Sequence, residues 1–245
     1  MNTTGHTRQP GYSYQGQDAF VLEVLGGMRG GFFLDSGASN GVSGSNSLLL
    51  ESEYGWNGIC IEPNAATFRA LAARRRCICL ECCLYDREGS FAFLEAAGVY
   101  GGIVQEYDPD QLAYTEQMLA RQGAVGAVLK PTRTLRAVLR QAGAPSVIDY
   151  WSLDTEGSEL ALLKSFPFDE FRFRVLTVEH NETPARWLIR EFLESRGYTM
   201  VRALGIDDGY VCNSELRGSG WRSAALRGPA LRGPALRGPA LRARR

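Results

Sequence analysis

Strand-like and helix-like stretches alternate from Gln17 onward, and no other feature of the chain constrains its fold as strongly. Short apolar runs occupy 31–35, 58–62, 77–85, 147–153, 175–178, 198–203 and 209–212. Between them, apolar residues recur at helical spacing over 17–25, 46–53, 65–75, 132–141 and 184–196, the last with Trp187, Leu188, Phe192 and Leu193 on one side. Strands separated by helices pair in parallel and carry the helices on both faces, so an α/β, doubly wound, mostly parallel sheet is expected. The final two runs are joined by the turn-rich stretch 205–209 and read as a hairpin-like end.

Charge divides the chain. The 27 Lys and Arg balance the 27 Asp and Glu, yet Arg222, Arg227, Arg232, Arg237, Arg242, Arg244 and Arg245 fall in a final segment that holds no acid. Twenty basic residues then face 27 acids in the body, which argues against a nucleic-acid-binding surface there. In the same final segment Leu-Arg-Gly-Pro-Ala repeats from Leu226, Leu231 and Leu236. Proline every fifth residue prevents a regular helix, and one leucine per repeat cannot build a core. The expected organisation is a flexible leader (1–13), one domain (14–213) and a disordered arginine-rich tail (214–245). Within the domain, 91–130 has the weakest periodicity and is where a lid or substrate loop would be inserted.

The leader lacks a charged start followed by an apolar run, and no stretch reaches the roughly 18 apolar residues of a membrane span. A soluble, cytoplasmic protein is expected. Cys77, Cys79, Cys82 and Cys83 crowd one strand-like run with no histidine nearby. They read as reduced packing thiols rather than zinc ligands, with Cys82 on the opposite face from the other three.

Chemistry concentrates at Asp35-Ser36-Gly37-Ala38-Ser39-Asn40-Gly41, which follows an apolar strand and precedes a helix. Glycines let the backbone turn sharply and approach a ligand, and the acid at the strand end can hold a charged amine. Glu62 ends the next strand, where a carboxylate can accept hydrogen bonds from both hydroxyls of a ribose. The turn departs from the Gly-x-Gly-x-x-Gly cradle that a pyrophosphate needs, and Asp35 would repel one. S-adenosylmethionine, a nucleoside without phosphate, suits the pair better. Asp86, near the end of the third run, is expected to meet the adenine amine. In the bland alternative, Asp35 and Asp86 merely turn the chain.

Five blocks, Gly16-Gln17-Asp18, Phe33-Leu34-Asp35-Ser36-Gly37-Ala38, Gly58-Ile59-Cys60-Ile61-Glu62-Pro63-Asn64, Ser152-Leu153-Asp154-Thr155-Glu156-Gly157-Ser158-Glu159 and Thr177-Val178-Glu179-His180-Asn181, together resemble the FkbM family of methyltransferases. The resemblance spans about 14–212. It implies a Rossmann-like methyltransferase fold with a seven-stranded sheet whose last strand is antiparallel, S-adenosylmethionine as cofactor, and methylation of a hydroxyl oxygen on a sugar or polyketide-type small molecule. The cofactor-binding candidates are Gln17, Asp35, Gly37, Ala38, Gly41, Glu62, Pro63 and Asp86. Ser36 stands where the family has an apolar residue, and a slight change in packing is expected from it.

Methyl transfer to oxygen demands alignment of the acceptor, and a positioned base adds typically ~10²–10⁴-fold. Asp154, Glu179 and His180 are the catalytic candidates, at the carboxyl ends of the fourth and fifth parallel strands where open α/β sheets bind ligands. His180 can act as base or can satisfy backbone groups at a strand end. Asp154 and Glu156 could instead hold magnesium, although no dedicated metal site is expected. Glu156 and Glu159 read as acids at a helix start. A catalytically inactive nucleotide-binding or scaffold protein of the same fold is the second reading, and a dehydrogenase the third.

Overall fold

The computed structural model describes residues 11–124 and 126–218. Its strands in chain order are β1 (Phe32–Ser36), β2 (Asn57–Ile61), β3 (Ile78–Leu80), β4 (Cys83–Leu84), β5 (Gly89–Phe93), β6 (Val128–Arg133), β7 (Val147–Leu153), β8 (Arg172–Glu179), β9 (Tyr198–Leu204) and β10 (Asp207–Cys212). The helices are α1 (Gln17–Val24), α2 (Leu48–Tyr54), α3 (Ala65–Arg74), α4 (Pro109–Arg121), α5 (Leu135–Gln141), α6 (Glu159–Ser165), α7 (Ala185–Ser195) and α8 (Asn213–Gly218). Seven strands form one sheet in the order β3-β2-β1-β7-β8-β10-β9. Only β10 runs antiparallel, slotted between β8 and β9. This is the α/β, mostly parallel sheet with an antiparallel last strand that the sequence led us to expect.

Alternation along the strands splits the core in two. Phe33, Cys60, Tyr150, Val175 and Val211 point to a layer completed by Phe20 and Val21 of α1, Leu50 of α2 and Leu71 of α3. Their neighbours Leu34, Ile59, Trp151, Leu176 and Tyr210 face the opposite layer, with Val138 of α5, Leu162 of α6 and Leu193 of α7. Strands covered on both faces are apolar throughout. Each fully buried large side chain contributes about 1.5–3 kcal/mol, and Trp151 is among the largest. Its indole N–H needs a partner in that setting and donates to Ser36 Oγ at 3.0 Å. The serine is thus accommodated as an indole acceptor, without a packing fault.

The run 77–85 is not one strand. Leu80 accepts from the Glu62 N–H at 3.1 Å, the last bond of that ladder. The chain leaves the main sheet, and Cys83 and Leu84 pair with β6 in a second, three-stranded sheet, β4-β6-β5. As a result Cys83 packs away from Cys77 and Cys79, which lie against the layer of Cys60. The stretch 91–130 also has more structure than its periodicity suggests. It holds most of β5, two 3₁₀ turns at Glu95–Tyr100 and Val104–Glu106, and α4, which starts with Asp108 accepting from the Asp110 N–H and with Pro109 in its first turn.

Helix α8 takes in 214–218, the first five residues of the expected tail, and its Glu215 pairs with Arg174 at 2.8 Å. The Leu-Arg-Gly-Pro-Ala repeats and residues 1–10 of the expected leader lie outside the described residues. No helix among the described residues is long and apolar enough to cross a membrane.

Candidate active site

A cleft of about 450 Å³ opens at the carboxyl ends of β1, β2, β7 and β8. At β1 the chain bends because the N–H groups of Gly37 and Ala38 both donate to the Ile61 carbonyl at 3.0 Å. Gly37 has φ +89°, and a Cβ there would lie 1.7 Å from the Asp154 carbonyl oxygen. Asp35 just precedes this turn, 3% exposed. Ser47, at the head of α2, donates its hydroxyl to Asp35, and Arg75 Nη2 donates in turn to Ser47 Oγ at 3.0 Å. Arg75 itself is anchored through Nε to Glu51 at 2.5 Å. Burial pushes the Asp35 carboxyl above the usual carboxylate range, opposed by the Ser47 hydrogen bond and the Arg75 charge.

On the β2 side, Glu62 and Pro63 line the cleft. Glu62 Oε1 accepts from the Asn64 N–H at 2.7 Å, and burial raises its carboxyl despite that bond. Asn64 then caps α3, accepting from Ala66 and Thr67. The expectation for Asp86 does not hold. With the strand broken after Leu80, Cys82, Cys83 and Leu84 reach the cleft, and Asp86 is carried outward to pair with Arg87 at 2.9 Å.

The far end is built from acids. Asp154 and Glu156 follow β7, Glu179 ends β8, and each brings a carboxylate oxygen within 4.8 Å of the others. Oxygen ligands so grouped are able to take a divalent cation. Burial, then the neighbouring acids, raises Asp154 and Glu179 well above the usual range. Glu156 is pushed up to about 8 by burial and by Glu159. Glu179 Oε2 is buried with no hydrogen-bond partner among the described residues.

Glu156 does not cap α6 as expected: it stands at φ +56°, a left-handed conformation rare for a side-chain-bearing residue. Its carboxylate points into the cleft wall and accepts from Gln111 at 3.0 Å. Glu159 does not cap the helix N–H groups either; its carboxylate turns back onto the preceding loop, accepting from the Thr155 N–H at 2.7 Å and the Gly157 N–H at 3.1 Å.

Three other sequence candidates lie outside the cleft wall. Gln17 is buried and donates to Asp207 at 2.5 Å, tying α1 to β10. Gly41 presents its carbonyl to Arg75 at 3.3 Å, and a Cβ there would press on Leu71 and Arg75. His180 borders a second cavity, of about 160 Å³, whose wall includes Glu179 as well. Its Nδ1 accepts from the Glu182 N–H at 3.0 Å, while Nε2 is 3.7 Å from Asp208 and has no hydrogen-bond partner among the described residues.

The sequence reading missed Ser47, Arg75 and Glu51 behind Asp35, and Glu106, Tyr107 and Gln111 beside the acids. The Asp108-Pro109 helix start could have exposed the second group. Nothing local marks the first.

A family model described as the methyltransferase FkbM domain matches residues 35–200. No curated protein matches the chain. Among solved structures, a methyltransferase from Pyrococcus furiosus is similar at 12% identity and a TM-score of 0.40, covering 81% of this chain and 81% of that one. Human methyltransferase 10 domain containing protein is similar at 12% identity and a TM-score of 0.40, covering 80% of each chain.

Proposed function

Because the chain belongs to the FkbM methyltransferase family, we propose that it methylates a hydroxyl oxygen of a sugar or natural-product-like small molecule at the expense of S-adenosylmethionine. The observation that carries this reading is the pair of buried carboxylates, Asp35 and Glu62, at adjacent strand ends in the wall of one cleft. The cleft's volume is in the range of small-ligand sites. Its donor set suits the cofactor: a carboxylate for an ammonium, a second for ribose hydroxyls, and a glycine turn that brings backbone close. The turn lacks the Gly-x-Gly-x-x-Gly cradle and places the acid Asp35 beside it, which disfavours a dinucleotide pyrophosphate and with it the dehydrogenase alternative.

When bound, S-adenosylmethionine supplies a methyl group activated by the sulfonium charge. The protein's part is to bury, align and deprotonate. Asp35 is held by Ser47 and backed by Arg75, so it meets an ammonium without rearranging. Glu179, bordering both cavities, is the base we favour: its unpartnered Oε2 takes the acceptor hydroxyl's proton as that oxygen gains the methyl group. Asp154 shares the local charge with Glu179. His180 serves the acceptor side, since it lies in the wall of the second cavity alone.

Calorimetry tests the cofactor assignment. S-adenosylhomocysteine should bind the purified chain, and Asp35→Ala or Glu62→Ala should weaken it at least about tenfold, the equivalent of 1.4 kcal/mol. Unchanged affinity in both variants refutes the reading.

A further inference from the structure

The two cavities meet at one residue, Glu179, which lies in the walls of both. If the cofactor fills the larger, the smaller is where a second reactant reaches the same carboxylate. Its walls come from the segment 106–111 on one side and the turn from β8 into α7 on the other. Two of the buried side-chain atoms that lack hydrogen-bond partners among the described residues, Glu179 Oε2 and His180 Nε2, belong to residues of this wall. Both residues are at least nine-tenths buried, Glu179 at 5% and His180 at 4% exposure. Unpaired buried polar groups are costly and call for an explanation; His180 Nε2 faces Asp208 at 3.7 Å, and for Glu179 Oε2 a polar ligand supplies one.

Charge says what kind of ligand. Glu106, Asp108, Glu159 and Glu179 line the cavity, with no Lys or Arg among the described residues. An anion would be repelled and a cation drawn in. The site is also not shaped for a bare metal ion, since Ile189, Ala185 and Pro184 give it an apolar side and a hard cation takes oxygen ligands all round. The ring of Tyr107 is a further attraction for an organic ammonium.

We infer that the methyl acceptor is a small amine-bearing alcohol that binds in this second cavity, its ammonium against Glu106 and Asp108 and its hydroxyl against Glu179. This rests on the methyltransferase reading above. In the transfer the acceptor O–H bond breaks, its proton goes to Glu179, the oxygen–methyl bond forms, and the sulfur–methyl bond breaks with its electron pair left on sulfur.

The test uses the full chain saturated with S-adenosylhomocysteine and three matched probe series: glucosamine, serinol and ethanolamine; glucose, glycerol and ethylene glycol; glucuronate, glycerate and glycolate. Ligand-observed NMR should show at least one amine binding about tenfold or more tighter than its neutral partner, with the acids weakest. Raising salt to about 0.5 M should reduce that preference. Glu106→Gln combined with Asp108→Asn should lower amine affinity several-fold, and Ala185→Trp should block it, both without altering S-adenosylhomocysteine affinity. Equal or tighter binding of neutral or acidic probes overturns the inference, as does failure of all three amines. If S-adenosylhomocysteine itself does not bind, the methyltransferase reading falls first. If it binds and the amines do not, only this inference falls.

Discussion

The two ends of the main cleft carry the same kind of residue and treat it in opposite ways. At the β1–β2 end each carboxylate has an assigned partner, Ser47 for Asp35 and the Asn64 N–H for Glu62. At the β7–β8 end Asp154, Glu156 and Glu179 press against one another, and one Glu179 oxygen has none among the described residues. A buried carboxylate with donors is a finished receptor; one crowded by other carboxylates stays unfavourable until a proton or a cation arrives. The first arrangement suits holding a ligand of fixed shape, and the second suits moving protons.

Four substitutions probe that contrast. Gly37→Ala should be the most damaging, since it drives a methyl group into the Asp154 backbone where the two ends touch. Strain and overpacking together should cost about 2–5 kcal/mol in urea denaturation, and stability close to wild type would show that the ends are not in contact. Glu179→Gln should lower turnover by about 10²–10⁴-fold while S-adenosylhomocysteine affinity stays within about threefold. Equal losses in both would erase the division of labour.

Glu156→Gln tests the crowding through pH. Its carboxyl moves from the ordinary 4.5 to about 8 in the folded protein, so the native state holds the proton more tightly than the unfolded chain does. The associated stability is complete below about pH 4.5 and is lost as pH rises through about 8. The unliganded wild type should therefore melt at lower temperature as pH climbs through that window, and Glu156→Gln should flatten the slope. Each kcal/mol corresponds to about 2–4 °C for a chain of this size; a slope unaltered by the substitution would show that Glu156 is not the crowded group. Smallest of all, Asp86→Ala should leave cofactor affinity and stability within about 0.5 kcal/mol, because this acid sits outside both ends. A marked loss of cofactor binding would return it to the site.

The main sheet was legible because its strands are buried on both faces and read as unbroken apolar runs. The acids at the ends of β1, β2, β7 and β8 were legible for a related reason: a charge directly after such a run has only the sheet's carboxyl edge to occupy. Asp86 misled because the chain leaves the β2 edge after Leu80 to pair with β6, a distant partner that the 77–85 run does not reveal. The small sheet stayed hidden because β4 is two residues long and β6 contains Pro131. Leu112, Thr115 and Leu119 did repeat at helical spacing in α4, and Thr115 and Leu119 are buried there, but polar neighbours diluted the pattern. Gln17 and Asp207 bond across 190 positions, and Asp35 reaches Arg75 only through Ser47. Such links exist only once the chain has folded.

The bond from Trp151 to Ser36 gives the protein an optical property. Indole emission depends on what its N–H touches, and the acceptor here is the residue next to Asp35. Adjacent residues of a strand point to opposite faces, so this bond lies across β1 from the Asp35 carboxylate, and the emission of the fully buried Trp151 reads the tightness of the core layer behind the cleft.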